Sequence, residues 1–153
     1  MPSAYDKITW RGFTVNRRTA AALTWAEKHS GVPIQLAQGS FNTSVSASGT
    51  THAGGGVVDV RCVQLSKTQR IKLMVALKRA GFAVWHRKAV PGLWGEHLHA
   101  VALDDKTASS SAKWQMSEYL AGRNGLTNQG RDNTFRPKPQ TRFSYKRNKP
   151  IPR

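Results

Sequence analysis

The chain has 153 residues, with 24 Lys and Arg against eight Asp and Glu, and a formal net charge of +16. Hydrophobic residues make up 39% of it, enough for the core of one compact domain, which excludes wholesale disorder. No apolar run approaches the roughly 20 residues of a membrane span. The polar N-terminus lacks the features of a secretory signal, so we expect synthesis and folding in a cytoplasm, with help needed for any later export. The single cysteine, Cys62, excludes an internal disulfide.

The positive charge predicts attraction to polyanions: nucleic acid, an anionic membrane surface or the acidic polymers of a cell wall. Residues 131–153 contain eight Lys and Arg against one acid, a net charge of +7, and four of the seven prolines. A segment of this composition buries too little apolar surface to order itself. We therefore predict a folded domain over residues 1–130 and a flexible basic tail over 131–153.

Hydrophobic periodicity and helix-capping residues predict helices and short strands before residue 122. Asn16 is expected to cap the first helix, and Ser66 with Gln69 forms a capping box for the second. In that second helix we expect Ile71 on the buried side and Lys78 in solvent. The predicted elements are a hairpin over 7–15, helices over 17–29, 66–80 and 111–121, and strands over 34–37, 57–62, 82–86 and 96–103. Their order predicts an α+β fold with a small, mainly antiparallel sheet and helices packed on it.

The first motif runs from Thr50 to Asp59 and reads Thr-Thr-His-Ala-Gly-Gly-Gly-Val-Val-Asp. Its glycines let the backbone bend tightly after His52, which brings that imidazole beside Asp59. An unpaired aspartate is costly in a strand of valines, and a metal ion or an arginine partner would remove this cost. The alternative is a flexible glycine turn that leads into a strand with a solvated aspartate.

The second motif reads Glu96-His97-Leu98-His99 and is predicted to begin a strand. Alternate side chains of a strand share a face, so both imidazoles can reach one site. Two imidazole nitrogens and one carboxylate are the ligand set of a catalytic zinc site with an open fourth position. Short motifs also recur by chance. The isolated His29 and His86 are expected to be ordinary packed or surface residues.

Both motifs resemble the M15 family of zinc peptidases, which includes D-Ala-D-Ala carboxypeptidases and phage endolysin peptidases. The first motif, taken as Thr-x-His-x-x-Gly-x-Val-x-Asp, is similar to the family's Ser-x-His-x-x-Gly-x-Ala-x-Asp signature. The second is similar to its acid-x-x-His element and to the His-x-His of its Streptomyces-type members. The resemblance covers about residues 16–126 and implies a hedgehog-like, D-Ala-D-Ala-peptidase-like fold.

By this resemblance, His52, Asp59 and His99 would bind Zn²⁺. Glu96 would be the general base that deprotonates the attacking water, and His97 would stabilise the oxyanion or orient the substrate. The implied activity is zinc-dependent hydrolysis of a peptide bond in bacterial peptidoglycan, as by a phage-encoded lysin that acts at the cell wall.

Two positions depart from the family pattern. Thr50 stands where serine is usual and keeps the hydroxyl. The arginine that precedes the family's histidine is absent; Gln38 lies in that region, and Arg61 is a candidate substitute on the strand of Asp59. A terminal carboxylate favours a cationic partner, so an endopeptidase is supported at least as well as a D,D-carboxypeptidase. Gln38, Thr50 and Arg61 are the candidate substrate-binding residues.

Two other functions fit parts of the sequence. One is a zinc-containing wall-recognition module without catalysis, which would have no use for the base Glu96. The other is a basic nucleic-acid-binding protein, suggested by the charge and five tryptophans, although no nucleic-acid-binding motif accompanies them. The expected partners are peptidoglycan and, through the tail, anionic wall polymers or a membrane surface; no obligate protein partner is expected.

Overall fold

The computed structural model describes residues 2–45 and 50–153, and its architecture is α+β, as predicted. Three helices accompany one four-stranded antiparallel sheet and two two-stranded hairpins. The elements in chain order are β1 (Lys7–Trp10), β2 (Phe13–Asn16), α1 (Arg17–Ser30), β3 (Leu36–Gln38), β4 (Val57–Arg61), α2 (Lys67–Arg79), β5 (Phe82–Arg87), β6 (His97–Ala102), α3 (Ser110–Leu120), β7 (Thr141–Ser144) and β8 (Lys149–Pro152). No helix within the described residues has the length and apolar character needed to cross a membrane.

The N-terminal hairpin and α1 form where the sequence predicts them. Strands β1 and β2 pair antiparallel around the turn after Trp10. The Asn16 side chain accepts a hydrogen bond from the backbone N–H of Thr19 and so caps α1. Gly31 ends the helix with a φ of 69°, a conformation that glycine adopts without a Cβ penalty.

Helix α2 begins with the predicted capping box, but its buried side differs from the prediction. The Ser66 hydroxyl accepts from the Gln69 N–H, and the Gln69 side chain accepts from the Ser66 N–H. Ile71 is exposed, whereas Lys78 is buried. The Lys78 ammonium donates to the Thr134 hydroxyl and to the Phe135 carbonyl, so C-terminal residues that the sequence placed in a mobile tail cover it. Burial lowers the pKa of Lys78 to about 8.

The central sheet has the strand order β3-β4-β6-β5, and each of its faces carries a separate core. One face, with Val60, Leu98 and Val84, packs with α1 and α2. The other face, with Val57 and Val101, packs with α3. Strand side chains alternate between the faces, so the sheet separates two environments, and the candidate site lies on the α3 face.

The prediction of a flexible tail over residues 131–153 is wrong, because β7 and β8 form a hairpin that packs on the domain. Phe143 is buried and belongs to the core of α1 and α2. Its carbonyl accepts from the buried guanidinium of Arg18, and the Thr141 hydroxyl donates to the Arg79 carbonyl at the end of α2. One aromatic side chain and these hydrogen bonds anchor a segment whose average composition indicated disorder.

Candidate metal centre

Strands β4 and β6 bring the two sequence motifs together. Their register pairs Asp59 with His99 and Arg61 with His97. His97 and His99 therefore lie on one face of the sheet, as the alternation in the sequence predicts, and Asp59 faces them from the neighbouring strand. The carboxylate is 8% exposed and His99 is 6% exposed, so the centre is largely shielded from water.

His52 reaches the same centre from a short 3-10 helix, Thr51–Ala53, in front of β4. The glycines after it serve close packing as well as bending. A side chain at Gly54 would collide with the Thr107 carbonyl, and one at Gly56, whose φ is 83°, would collide with Asp105. The turn therefore rests directly on the loop before α3, which holds the fully buried His52 imidazole beside β4.

All three imidazoles of the motifs face one oxygen atom, Oδ1 of Asp59. The distances to this atom are 3.2 Å from His52 Nε2, 2.9 Å from His99 Nδ1 and 3.7 Å from His97 Nε2. His52, Asp59 and His99 form a group in which one ligand atom from each residue lies within 4.8 Å of the others. These three residues could hold a metal ion.

The second ring nitrogen of each imidazole also faces an acceptor. His52 Nδ1 lies 2.8 Å from the Gly39 carbonyl oxygen, and His99 Nε2 lies 2.8 Å from Gln115 Oε1. The Gln115 amide nitrogen donates to the Gly125 carbonyl, which fixes the orientation of that amide. A neutral imidazole carries one N–H. Once that proton is donated to Gly39 or Gln115, the nitrogen that faces Asp59 has a lone pair directed at a carboxylate.

Electrostatics favour a neutral His99 and an ionised Asp59. Burial lowers the pKa of His99, an effect that the nearby Asp59 carboxylate opposes but does not cancel. For Asp59, burial raises the pKa, but hydrogen bonds and charge from His52 and His99 together outweigh it, so the pKa lies below its ordinary value. A neutral imidazole therefore faces an ionised carboxylate. Without a cation, the Asp59 carboxylate accepts hydrogen bonds from these rings. A cation bound between them would instead use the ring lone pairs, and Gly39 and Gln115 would orient its ligands in the manner of supporting residues at metal sites.

A cleft of about 350 Å³ opens at the centre, within the range of small-ligand sites. Its walls include Asp59, His97 and His99 together with Arg87 of β5. Arg87 is 8% exposed; its Nη1 donates to the Asn124 carbonyl at 2.7 Å, and its Nη2 has no hydrogen-bond partner among the described residues. Burial lowers the pKa of Arg87 to about 10, so the guanidinium stays charged at neutral pH.

The three predicted substrate-binding residues occupy different environments. Gln38 is buried and lines the cleft. Thr50 is exposed, and its hydroxyl lies 2.6 Å from that of Ser111 on α3. Arg61 is exposed at the end of β4, and the described residues that line the cleft do not include it. The polar loop that follows Gln38 extends over residues 46–49, which lie outside the described residues.

Glu96, the predicted general base, lines the cleft but contacts a second group of side chains. Its Oε2 lies 3.5 Å from His86 Nε2, and its Oε1 lies 3.7 Å from the Cys62 sulfur. Cys62, His86 and Glu96 form another group that could hold a metal ion. His86, which the sequence predicts to be an ordinary packed or surface residue, is half-buried within this group.

Sequence reasoning missed Gln115 and Arg87 as site residues. Gln115 lies on α3 one turn from Ala112 and Tyr119, which are buried against the sheet. A polar residue on that apolar face was the available signal. The predicted strand over 82–86 ended one residue before Arg87, and β5 includes this residue and pairs it with His97.

The chain matches no model of a known protein family, and neither a curated protein nor a solved structure matches it. The similarity to the M15 zinc peptidases stays a prediction that rests on the two motifs.

Proposed function

We propose that the protein is a zinc-dependent peptidase that hydrolyses a peptide bond of bacterial peptidoglycan, as a phage lysin does. The observation that carries this proposal is the convergence of His52 Nε2 and His99 Nδ1 on Asp59 Oδ1, with the other nitrogen of each ring facing an acceptor. Two imidazoles and one carboxylate leave part of the coordination shell open, as catalytic zinc sites do.

In this proposal His52, Asp59 and His99 would hold the zinc ion, which when bound supplies a Lewis acid and lowers the pKa of water. The residues fit the ion because two buried imidazoles direct ring nitrogens at one carboxylate oxygen, and burial favours the neutral, metal-binding form of His99 by lowering its pKa. The two motifs that carry the resemblance are the same residues that meet at this centre.

Glu96 would accept a proton from the attacking water and return it to the leaving amine. A general base acts within hydrogen-bond reach of the proton that it takes. The Glu96 side chain lines the cleft and is 33% exposed, so it has room to exchange its contact with His86 for one with water in the cleft.

His97 and Arg87 would position the substrate. His97 lines the cleft; its Nδ1 lies 2.8 Å from the Gly95 carbonyl, and its Nε2, 3.7 Å from Asp59 Oδ1, would accept an amide N–H of the substrate. The unpartnered Nη2 of Arg87 would pair with a carboxylate near the cleaved bond. Stem peptides of peptidoglycan carry such carboxylates, and Arg87 would supply the cation that the first motif lacks.

The experiment is digestion of purified peptidoglycan by the wild type, Glu96→Ala and the control Asp6→Ala, with zinc content determined on the same samples. We expect zinc in all three proteins, peptide fragments from the wild type and the control, and a rate for Glu96→Ala lower by about 10²–10⁴-fold. Fragment masses identify the cleaved bond and separate endopeptidase from D,D-carboxypeptidase action.

Two outcomes would contradict the proposal. Absence of zinc from the wild type and the control would exclude the metal centre. Zinc in every sample without release of peptide would favour the wall-recognition module.

The C-terminal hairpin offers a surface for the anionic wall. Its exposed cationic side chains are Arg142, Lys146, Arg147 and Lys149. We propose that they hold the enzyme on acidic wall polymers through charge, an attraction that salt weakens. Removal of residues 131–153 would also remove Phe143 from the core, so substitution of these four residues by Gln is the cleaner test.

We expect the fourfold Gln variant to bind cell walls more weakly than the wild type at low salt, and equally at high salt. Turnover of a small soluble peptide should be unchanged. Equal wall binding at low salt would exclude this role, and tighter binding of the wild type to DNA than to walls would favour a nucleic-acid-binding protein.

A further inference from the structure

A second group of metal-ligating side chains lies on the other face of the central sheet. Cys62 follows β4, His86 lies in β5 and Glu96 precedes β6. His86 pairs in register with Leu98, whose side chain belongs to the core of α1 and α2. One ligand atom of each residue in the group lies within 4.8 Å of the others.

The spacing of these donors suits a tetrahedral metal ion. With metal–ligand bonds of about 2.0–2.3 Å, two donors of one tetrahedral zinc ion lie about 3.3–3.8 Å apart. Glu96 Oε2 is 3.5 Å from His86 Nε2, and Glu96 Oε1 is 3.7 Å from the Cys62 sulfur. A thiolate, an imidazole and a carboxylate favour Zn²⁺ or Cd²⁺ over Mg²⁺ or Ca²⁺.

A second observation points to a ligand at this place. His86 Nε2 is buried and has no hydrogen-bond partner among the described residues. Leaving a buried polar atom without a partner is costly. Cys62 is only 2% exposed, and its sulfur lies 3.7 Å from Glu96 Oε1.

We propose that Cys62, His86 and Glu96 form a second binding site for a thiophilic divalent cation, and that its occupancy inhibits the enzyme. The inhibitory part rests on the proposed function, because it requires Glu96 to be the general base. A carboxylate that ligates a cation does not accept a proton from water. Binding replaces the proton of the Cys62 thiol, which is released to solvent.

The second site is weaker than the first. The positive charge of the Arg70 guanidinium acts electrostatically on both Cys62 and His86. This charge opposes the binding of a cation between them. The first centre fills before the second, so inhibition sets in only when the metal exceeds one equivalent.

Cadmium is the probe, because a cadmium–thiolate bond has a charge-transfer absorption band in the ultraviolet and the chain has a single thiol. The chelator-stripped protein is titrated with Cd²⁺ as wild type, His52→Ala, Cys62→Ala, His86→Gln and the control His29→Gln. We expect the band in His52→Ala and in the control, its loss in Cys62→Ala, and an affinity lower by at least about tenfold in His86→Gln.

Two results would overturn the site. One is a folded His52→Ala protein without the band, and the other is a band of unchanged affinity in His86→Gln, which would indicate binding to the thiol alone. Circular dichroism of each variant separates loss of the site from loss of the fold.

The inhibitory part is tested by release of peptide from peptidoglycan as Zn²⁺ is raised beyond one equivalent. We expect wild-type activity to fall and Cys62→Ala to stay active over the same range. Equal inhibition of both proteins would overturn regulation through Glu96. An inactive wild type at every zinc level would instead refute the proposed function, and the cadmium titration would still decide the site.

Discussion

Two groups of side chains that could hold a metal ion lie on opposite faces of the central sheet, and they differ in how their ligands are held. In the first, His52 and His99 each contact an acceptor on the side away from Asp59, Gly39 and Gln115 respectively. In the second, the contacts are longer and more open to solvent: His86 Nε2 lies 3.5 Å from Glu96 Oε2, and the Glu96 side chain is 33% exposed. Residue types alone do not make a metal centre, because the supporting contacts decide whether the ligands are pre-organised.

The two groups also differ in the protons that a metal must displace. Around Asp59 the carboxylate is ionised and His99 favours the neutral form. In the second group, burial and then the charge of Glu96 raise the pKa of the Cys62 thiol to about 11. The thiol is therefore protonated at neutral pH, which lowers the apparent affinity of that group for a metal.

The largest effect should come from Asp59→Asn, which removes the charge on which the imidazoles of the first centre converge. We expect zinc affinity to fall more than the roughly 10–100-fold typical of a supporting residue, with loss of peptidase activity. The cadmium–thiolate band of the second group should persist. Isothermal titration with Zn²⁺ is the measurement, and Asp6→Asn is the control. Unchanged zinc affinity would show that zinc binds more tightly to the second group than to the first.

Gln115→Ala tests the support of the first centre without touching a ligand. The His99 ring would lose the acceptor that fixes its proton, so we expect zinc affinity to fall about 10–100-fold. Gln115→Glu keeps an acceptor oxygen and should retain more affinity than Gln115→Ala. The exposed Gln64, changed to Ala, is the control. Equal zinc affinities in these proteins would remove the distinction between supported and unsupported ligands.

Arg87→Met should reduce kcat/KM about tenfold on substrates that carry a carboxylate near the cleaved bond, because one charge-assisted hydrogen bond is lost. On the amidated form of the same peptide, the wild type and Arg87→Met should differ little. Arg87→Lys keeps the charge and should recover part of the loss. Equal losses on both peptides would indicate a structural role for the guanidinium.

The smallest expected effect is the pH dependence of folding stability that the Cys62 thiol causes when no metal is bound to the second group. The unfolded Cys62 thiol ionises near its ordinary pKa of about 9 and the folded thiol near about 11. The unfolded state therefore releases its proton first, so the stabilising contribution is complete below pH 9 and is lost as the pH rises towards 11. Urea unfolding of the wild type and Cys62→Ala at pH 8 and pH 11 should show a steeper loss of stability in the wild type. Parallel losses would contradict a protonated buried thiol.

Local signals in the sequence predict most of the fold. The Asn16 cap, the capping box of Ser66 and Gln69, and the glycine at position 31 each depend on residues a few positions apart, and all three form as predicted. The alternation of His97 and His99 also needs no distant partner. The sequence therefore predicts that His52, Asp59 and His99 come together, as the structure shows.

Long-range contacts explain what the sequence did not predict. Lys78 is buried because residues 134 and 135 cover it, and the C-terminal hairpin is ordered because Phe143 enters the core. Gln115 supports the first group and His86 belongs to the second because the fold places them beside residues that are distant in sequence, His99 and Glu96 respectively. No local pattern predicts such contacts, since Gln115 lies 16 positions from His99, and Lys78 lies 56 and 57 positions from Thr134 and Phe135.

The most direct measurement of the central claim is a zinc titration of the chelator-stripped wild type, with peptide release from purified peptidoglycan recorded at each step. A catalytic centre at His52, Asp59 and His99 predicts no activity without zinc and a rise to a maximum at one equivalent. It also predicts a decline beyond that point as the second group fills. Activity that does not depend on zinc, or no peptide release at any zinc level, would contradict the account.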